Sequence, residues 1–299
     1  MILICAASGR IGSRTIDRLV NDDRFQEVVA GVRDVEKCQD LKPRGVDVRA
    51  VDYDDVSGLE AAFEGVERVV LIPSFADTEQ RAQQGRNVIQ AAETVGVKQI
   101  VFIGIMDTRS DSPLPFAHAY GAIESALSES NVGWTVLRTS MYTDNLAEQY
   151  PVWLECGELL TCAGDGKVSY VSRDDISASI IGVLAAPVHE HAGKVYTLTG
   201  PQALSYQDVC EVINDFFDAQ VKVRQVGVEE FAERLRQIWG VAYPETEHVA
   251  RVTPLFQVVF KQGMMSEVTN HVARLTDVAP EDFLNWLERN VDCGREVFE

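Results

Sequence analysis

Through its first 140 residues the chain repeats one alternation: a short apolar run, then a stretch in which apolar side chains return every three or four positions. The runs are Ile2-Leu-Ile-Cys5, the segments 27–34 and 68–72, then 99–105 and 134–138. Between them, 45–51 alternates apolar and polar residues and reads as a strand of edge character. After Gln99 the run 99–105 is apolar, as a central parallel strand is. The periodic stretches predict a helix after the first run, carrying Ile11, Ile16, Leu19 and Val20 on one face, and others over about 55–63, 78–95 and 116–128. In the helix over 78–95, Val88, Ile89, Ala92 and Val95 face inward and Gly96 is the stop. Strands alternating with helices specify an α/β fold, a Rossmann-type doubly wound parallel sheet with right-handed crossovers and its switch point above the first strand.

Beyond residue 140 the order loosens. The pattern predicts a helix near 143–154, a glycine-spaced, hairpin-like segment over 157–166, and a helix to about Ala185 opened by a capping box, Ser172-Arg-Asp-Asp175. A strand follows at 195–198, then a second capping box, Ser205-Tyr-Gln-Asp208, with a helix to about Phe217 and a strand at 221–226. Helical patches at 229–239, 246–260 and 280–289 complete the chain. Residues 1–145 with 164–226 are expected to form the dinucleotide-binding unit. Residues 146–163 with 227–299 are expected to form a smaller, mainly helical lobe over the cleft. No repeats or low-complexity tracts occur.

The first strand, a small-residue turn and a helix form the strongest chemical signal. The spacing Ala6-x-x-Gly9-x-x-Gly12 is a G-x-x-G-x-x-G pattern whose first glycine is alanine. Gly9 and Gly12 let backbone approach a diphosphate and let helix and sheet pack closely, while the helix's free N–H groups face the negative charge. An alanine at the first position requires φ to stay negative there. Read without a ligand, the same residues make an ordinary tight turn. Arg33 lies 21 residues past Gly12, where such a unit reads the adenosine ribose. An arginine pairs with a 2′-phosphate, which favours NADP over NAD, although the adjacent Asp34 keeps NAD open. Asp52 and Tyr53 end the edge strand, placed to flank an adenine ring, or else Asp52 only caps the next helix.

Charge and composition narrow the partners. With 46 acidic and 27 basic side chains the net charge is −19, and no basic run offers a nucleic-acid surface. No segment has the ~20 apolar residues of a membrane span, and no basic region precedes the first apolar run, so a soluble, cytoplasmic protein without a signal peptide is expected. Six cysteines show no Cys-x-x-Cys spacing and read as reduced small hydrophobes. His189-Glu190-His191 reads as a solvated loop lacking further ligands, and no metal is expected.

Together these stretches resemble the NmrA-like atypical short-chain dehydrogenase/reductases, of the bacterial NAD(P)H:quinone oxidoreductase and triphenylmethane reductase type, whose relatives include nominal nucleotide-sugar epimerases. The likeness is carried by Ala6-Ala-Ser-Gly-Arg-Ile-Gly12, Gly31-Val-Arg-Asp-Val-Glu-Lys37, Val51-Asp-Tyr-Asp54 and the segment 87–98. It continues through Trp134-Thr-Val-Leu-Arg138, Met141-Tyr-Thr-Asp-Asn145, Ala163-Gly-Asp-Gly-Lys167 and Ser172-Arg-Asp-Asp175, and fades after 226. The resemblance implies that Ser8, Gly9, Arg10, Ile11 and Gly12 hold the diphosphate and Arg33 the 2′-phosphate. It further implies that Pro73, Ser74 and Gly104 line the nicotinamide side, with Tyr142 and Asn145 near the substrate. Structural roles are equally open: Ser74 and Gly104 as strand-end turns, Tyr142 as a core aromatic and Asn145 as a helix cap.

One feature departs from the wider superfamily. No tyrosine here has lysine four residues on, and the expected place reads Phe116-Ala-His-Ala-Tyr120. A ketone reduced by hydride gives an alkoxide that needs a positioned acid. A quinone gives a phenolate, whose conjugate acid has a pKa near ~10, so solvent can protonate it. The chain therefore suits hydride transfer to quinone-like acceptors or cationic dyes, through proximity and orientation, with His118, Tyr120 or Tyr142 as candidate proton donors. His118 and Tyr120, two apart on a helix, do not share a face. The alternatives are a non-catalytic NADP(H) sensor acting on a partner protein, and a nucleotide-sugar epimerase or dehydrogenase. Possible partners are a small-molecule electron acceptor, a second copy of the chain or a regulated protein.

Overall fold

The computed structural model describes residues 1–239 and 246–291. Strand β1 (Ile2–Ile4) feeds helix α1 (Arg10–Val20), and β2 (Val28–Val32) runs into a kinked 3-10 segment, Val35–Arg44. Strand β3 (Asp47–Ala50), helix α2 (Val56–Ala62), β4 (Arg68–Leu71) and α3 (Thr78–Val95) follow. Next come β5 (Gln99–Ile105), α4 (Ala117–Glu129) and β6 (Gly133–Thr139). Every strand and crossover helix read from the alternation is present. Gly96 stops α3 in the left-handed conformation, φ 79°, as a glycine there should.

The single helix expected over 143–154 is two short ones, α5 (Asp144–Ala147) and α6 (Tyr150–Cys156), because Pro151 at the first turn of α6 fits a helix start better than an interior. The expected hairpin over 157–166 does not form. Strand β7 (Glu158–Thr161) and β8 (Lys167–Val168) find other partners. Helix α7 (Arg173–Ala185), α8 (Val188–His191) and β9 (Lys194–Leu198) return to the main sheet. Strand β10 (Leu204–Ser205), α9 (Tyr206–Phe217), β11 (Lys222–Gln225), α10 (Val228–Trp239), α11 (Thr246–Lys261), α12 (His271–Thr276) and α13 (Phe283–Asn290) complete the described chain.

Seven parallel strands lie in the order β3-β2-β1-β4-β5-β6-β9, so the winding reverses between β1 and β4. Because successive residues of a strand face opposite ways, each strand feeds two cores. Ile4, Ala30, Val70, Val101 and Leu137 pack under α1 and α7. Leu3, Val29, Val69, Phe102 and Val136 pack under α2, α3 and α4. Phe102 is fully buried, and truncation of such a side chain to alanine costs about 3–5 kcal/mol.

A third core joins the elements beyond residue 140 to Ile105, Leu114 and Ala117. Strand β7 pairs parallel with β11, and β8 pairs antiparallel with β10. Tyr150, Trp153, Tyr206, Ile213, Phe260 and Trp286 pack together there. The elements from β10 to β11, which the sequence groups with the main sheet, add Leu204, Val209 and Ile213 to this core beside α6, α11 and α13. Parts of the expected lobe, 240–245 and 292–299 with Cys293, lie outside the described residues.

The two helix starts differ in detail. Ser205 and Asp208 form the reciprocal capping box expected. Ser172 accepts the Asp175 N–H, but the half-buried Asp175 carboxylate receives the Ser172 hydroxyl and the Glu281 N–H instead of closing the box. His189 and His191 stand on a short helical turn, not a loop, and His191 Nδ1 shares a 2.8 Å hydrogen bond with the Tyr196 hydroxyl.

Candidate functional site

The turn after β1 is pinned to both neighbouring strands at the point where the sheet reverses. Cys5 N–H donates to the Val70 carbonyl, Ala7 N–H to Gly31, and Gly9 N–H closes back on Ala6 at 2.9 Å. Cys5 and Ala7, two residues apart, thus direct their N–H groups to opposite strands, and Ala6 between them takes φ +50°, overturning the expectation of a negative φ. An L-residue pays about 1–2 kcal/mol for that conformation. Gly12 is needed for contact: a Cβ there would stand 2.4 Å from the Ala6 carbonyl oxygen and 2.8 Å from Ala7 Cα. Gly9 begins α1 in extended geometry with no side chain capping the helix, so the first N–H groups keep no internal partner. Ser8, Gly9 and Arg10 are exposed, whereas Ile11 is buried under the helix. Arg10 bridges to Glu148 between α5 and α6. An uncapped helix start, a backbone cradle that a Cβ would fill and two exposed small residues fit a dinucleotide diphosphate.

At the ribose end, Arg33 is exposed just past β2 and makes no ion pair among the described residues. Asp34 is occupied, its carboxylate accepting the Glu36 N–H. Asp52 is exposed and accepts the Asp54 N–H, while the cap of α2 is Asp55. Tyr53 points inward. Its ring joins the core around Leu3 and Leu59, its hydroxyl donates to the Ile72 carbonyl at 2.8 Å, and burial holds its pKa well above the usual tyrosine range. The neighbouring Cys5 thiol is pushed up to about 12, also by burial.

At the C-terminal ends of β4 to β6, Pro73 and Ser74 are half-buried. Ser74 donates to Gln84 Oε1 at 2.5 Å and accepts the Ala76 N–H. Gly104 lies within β5 beside the doubly hydrogen-bonded pair Arg138–Glu124, and its carbonyl accepts the Thr139 hydroxyl. Tyr142 lies beneath the Arg173 guanidinium, 5.1 Å from its ring centroid, and the same guanidinium donates to Asn145 Oδ1 at 2.8 Å. Arg173 is itself buried beside Asp144. Asn145 is thus an anchor for Arg173 rather than a helix cap.

The three candidate proton donors part company. His118 is exposed on the outer groove between α3 and α4, beside Asp54, Gln83 and Arg86. Tyr120 turns inward against Phe102 and Phe116, at ring separations of 6.0 and 6.3 Å. Burial pushes Tyr120 up to about 12, with Tyr142 adding to the shift and the Arg81 guanidinium opposing it. Burial also raises Tyr142, against its hydrogen bond with the Thr139 side chain and the Arg173 charge. The fold brings Tyr120 and Tyr142 together and leaves His118 outside.

Sequence reading missed Arg81. It starts the second turn of α3, is 9% exposed, and donates from Nη2 to the Ala76 carbonyl at 2.9 Å. Its guanidinium stands 5.4 Å from the Phe116 ring centroid and 5.6 Å from that of Tyr120. Its buried Nε has no acceptor. Cation–π contacts return about 0.5–2 kcal/mol each, much the same as the ~1–3 kcal/mol of one orphaned buried donor. The available signal was position: a cation near a helix N-terminus opposes the dipole.

Residues 6–187 match the model of a family described as NAD(P)H-binding. Quinone oxidoreductase 2 of Escherichia coli (strain K12) is 34% identical over 238 residues, 80% of this chain and 82% of that protein. The solved structure of an NADPH-dependent quinone oxidoreductase from Escherichia coli, complexed with NADPH, matches at TM-score 0.87 and 30% identity over 100% of both chains. That of Citrobacter sp. triphenylmethane reductase, complexed with NADP(H), matches at TM-score 0.89 and 27% identity over 97% of this chain and 99% of the other.

Proposed function

The chain belongs to the NAD(P)H-binding, NmrA-like family, and on that premise we propose that it catalyses hydride transfer from NADPH to a quinone-like acceptor, in the cytoplasm. It is an oxidoreductase by its relatives; the acceptor and the NADP preference are our reading. One observation carries the choice of acceptor: no Tyr-x-x-x-Lys pair exists, and the phenols near its usual place, Tyr120 and Tyr142, are both shifted toward the protonated form. Phenols held neutral at working pH are poor bases for alcohol oxidation or sugar epimerisation. They suit a reaction whose product oxygen is a weakly basic phenolate. The bound nicotinamide would supply the hydride.

The protein's part is binding and orientation. The α1 N-terminus and the cradle at Gly9 and Gly12 would hold the diphosphate. Arg33, exposed and without an ion pair while Asp34 is engaged in its cap, would take the 2′-phosphate, in keeping with the NADPH bound to the Escherichia coli relative. The loop carrying Pro73 and Ser74 is braced on α3 through Gln84, a rigid wall for the nicotinamide side.

The test is NADPH and NADH titration followed by stopped-flow oxidation of the bound NADPH by a panel of quinones. Saturable, acceptor-dependent oxidation is expected. Arg33→Ala should weaken NADPH by about 10- to 100-fold, the worth of charged hydrogen bonds, and leave NADH unchanged. Tight NADPH binding with no oxidation by any acceptor would overturn the reductase and leave a redox sensor.

A further inference from the structure

Arg81 is a buried cation without an ion-pair partner among the described residues, at the start of the helix that follows β4. It is 9% exposed, its Nε finds no acceptor among the described residues, its Nη2 donates to the Ala76 carbonyl in the loop that also carries Ser74, and its remaining side-chain hydrogen bond is with Tyr120. No carboxylate of the described residues forms an ion pair with it. The rings of Phe116 and Tyr120 flank it at 5.4 and 5.6 Å. Those two residues occupy the places of the absent tyrosine and lysine. Helix α3 follows β4 across the loop 72–77, so its first turns, with Arg81, lie on the side of the sheet where β1 leads into the turn at Ala6 and β6 leads toward Tyr142.

Aromatic faces hold a guanidinium through its flat sides and leave its N–H edge free. A buried cation with a free donor is unfavourable alone and becomes favourable when an anion completes it. We propose that Arg81 sets acceptor specificity, favouring acceptors that carry or develop negative charge on oxygen and rejecting cationic ones. This rests on the quinone-reductase reading and narrows it, because cationic dyes then become poor substrates. In the reaction, the hydride pair adds to the quinone ring system and one carbonyl becomes a phenolate oxygen. NADPH is oxidised to NADP⁺, and water supplies the proton that completes the hydroquinone. Arg81 would bind the acceptor's anionic oxygen or sulfonate and stabilise that phenolate.

The experiment compares kcat/KM for three acceptors: 1,4-naphthoquinone, 1,2-naphthoquinone-4-sulfonate and the cationic dye malachite green. Wild type, Arg81→Met and Arg81→Lys are used, with NADPH Kd measured for each. Wild type should prefer the sulfonate and use the dye least. Arg81→Met should lower kcat/KM for the sulfonate about tenfold or more, the scale of one unit charge across several ångströms at intermediate dielectric. The dye should improve, NADPH Kd should hold, and Arg81→Lys should restore most of the preference. Rising ionic strength should weaken the wild-type sulfonate reaction and leave the neutral quinone alone, a reading that needs no folded variant. Equal losses on all three acceptors, or a wild type that reduces the dye best, would overturn the assignment. If no acceptor is turned over, calorimetric binding of the sulfonate to the NADP⁺ complex, wild type against Arg81→Met, still reports the charge. Binding that Arg81→Met weakens would then retain the anion site while the reductase reading falls; equal binding, or none, would remove both.

Discussion

The left-handed Ala6 gives a prediction whose size follows from the backbone. At φ +50° an L-residue carries about 1–2 kcal/mol of steric cost that glycine does not. Ala6→Gly removes it. Two terms oppose the gain: glycine loses about 0.5–1 kcal/mol more chain entropy on folding, and the half-buried methyl gives up part of the ~0.8 kcal/mol of a buried carbon. The balance is a small stabilisation, about 0.5 kcal/mol, or about 1 °C in melting temperature for a chain of this size. Ala6→Val goes the other way, because a β-branched side chain at positive φ is a true outlier; a loss of about 2 kcal/mol or more is expected. Urea unfolding of the three proteins without cofactor, fitted with a common slope, measures the series. The order Gly, Ala, Val from most to least stable supports the left-handed turn. If valine and glycine fall within the fitting error of each other, Ala6 keeps a negative φ in solution and the strain account fails. NADPH affinity should not fall in Ala6→Gly, since the original motif glycine is then restored.

Two further substitutions test neighbouring pieces of the structure. Gly12→Ala would put a Cβ 2.4 Å from a backbone oxygen that no side-chain rotation can clear, so α1 must lift from the turn; stability should drop by about 1–3 kcal/mol and NADPH Kd should rise at least tenfold, and an unchanged Kd would show that the cradle does not hold the diphosphate. Asp208 closes its capping box by accepting the Ser205 N–H at 2.8 Å and sits 3.3 Å from Lys167, and the Ser205 N–H does most to hold its carboxyl below the usual range. A lowered folded pKa means that its contribution is present above the unfolded value, near ~4, and is lost as pH falls through the folded one. Asp208→Ala should therefore cost about 0.5–2 kcal/mol at pH 7, with the gap to wild type closing in acid; a gap constant with pH would mean that the ionised carboxylate is not the stabilising form.

Strands and crossover helices were legible because each buries a face whose period is written directly in the sequence. The elements read poorly were those stabilised by distant partners. Strand β7 looks like half of a hairpin locally, yet its ladder is with β11, more than sixty residues on. A two-residue strand such as β8 has no period at all, and the short helix α12 shows too few turns to reveal one. The apolar surface met by the elements from β10 to β11 was hard to read for the same reason: adjacency in the chain says nothing of which distant helices they pack against.

The candidate site divides along the same line. The diphosphate turn is a local object, strand, turn and helix, so its spacing could be read, but the strain at Ala6 could not, because it arises from hydrogen bonds to β2 and β4. Side chains whose roles depend on what faces them were harder. Asp52 and Asp55 are equally good caps by type, and only the backbone decides that Asp55 is used. Tyr53 stands at a strand end where ligands gather, yet its hydroxyl is taken by the Ile72 carbonyl. Arg81 shows the limit most clearly. In sequence it is one arginine in a polar helix start, and what makes it consequential is two residues distant in the chain, Phe116 and Tyr120, whose rings flank a buried guanidinium that has no ion-pair partner among the described residues. Local pattern reports what a segment can form. An unpaired charge is a property of everything around it, which is why it appears only once the chain has folded.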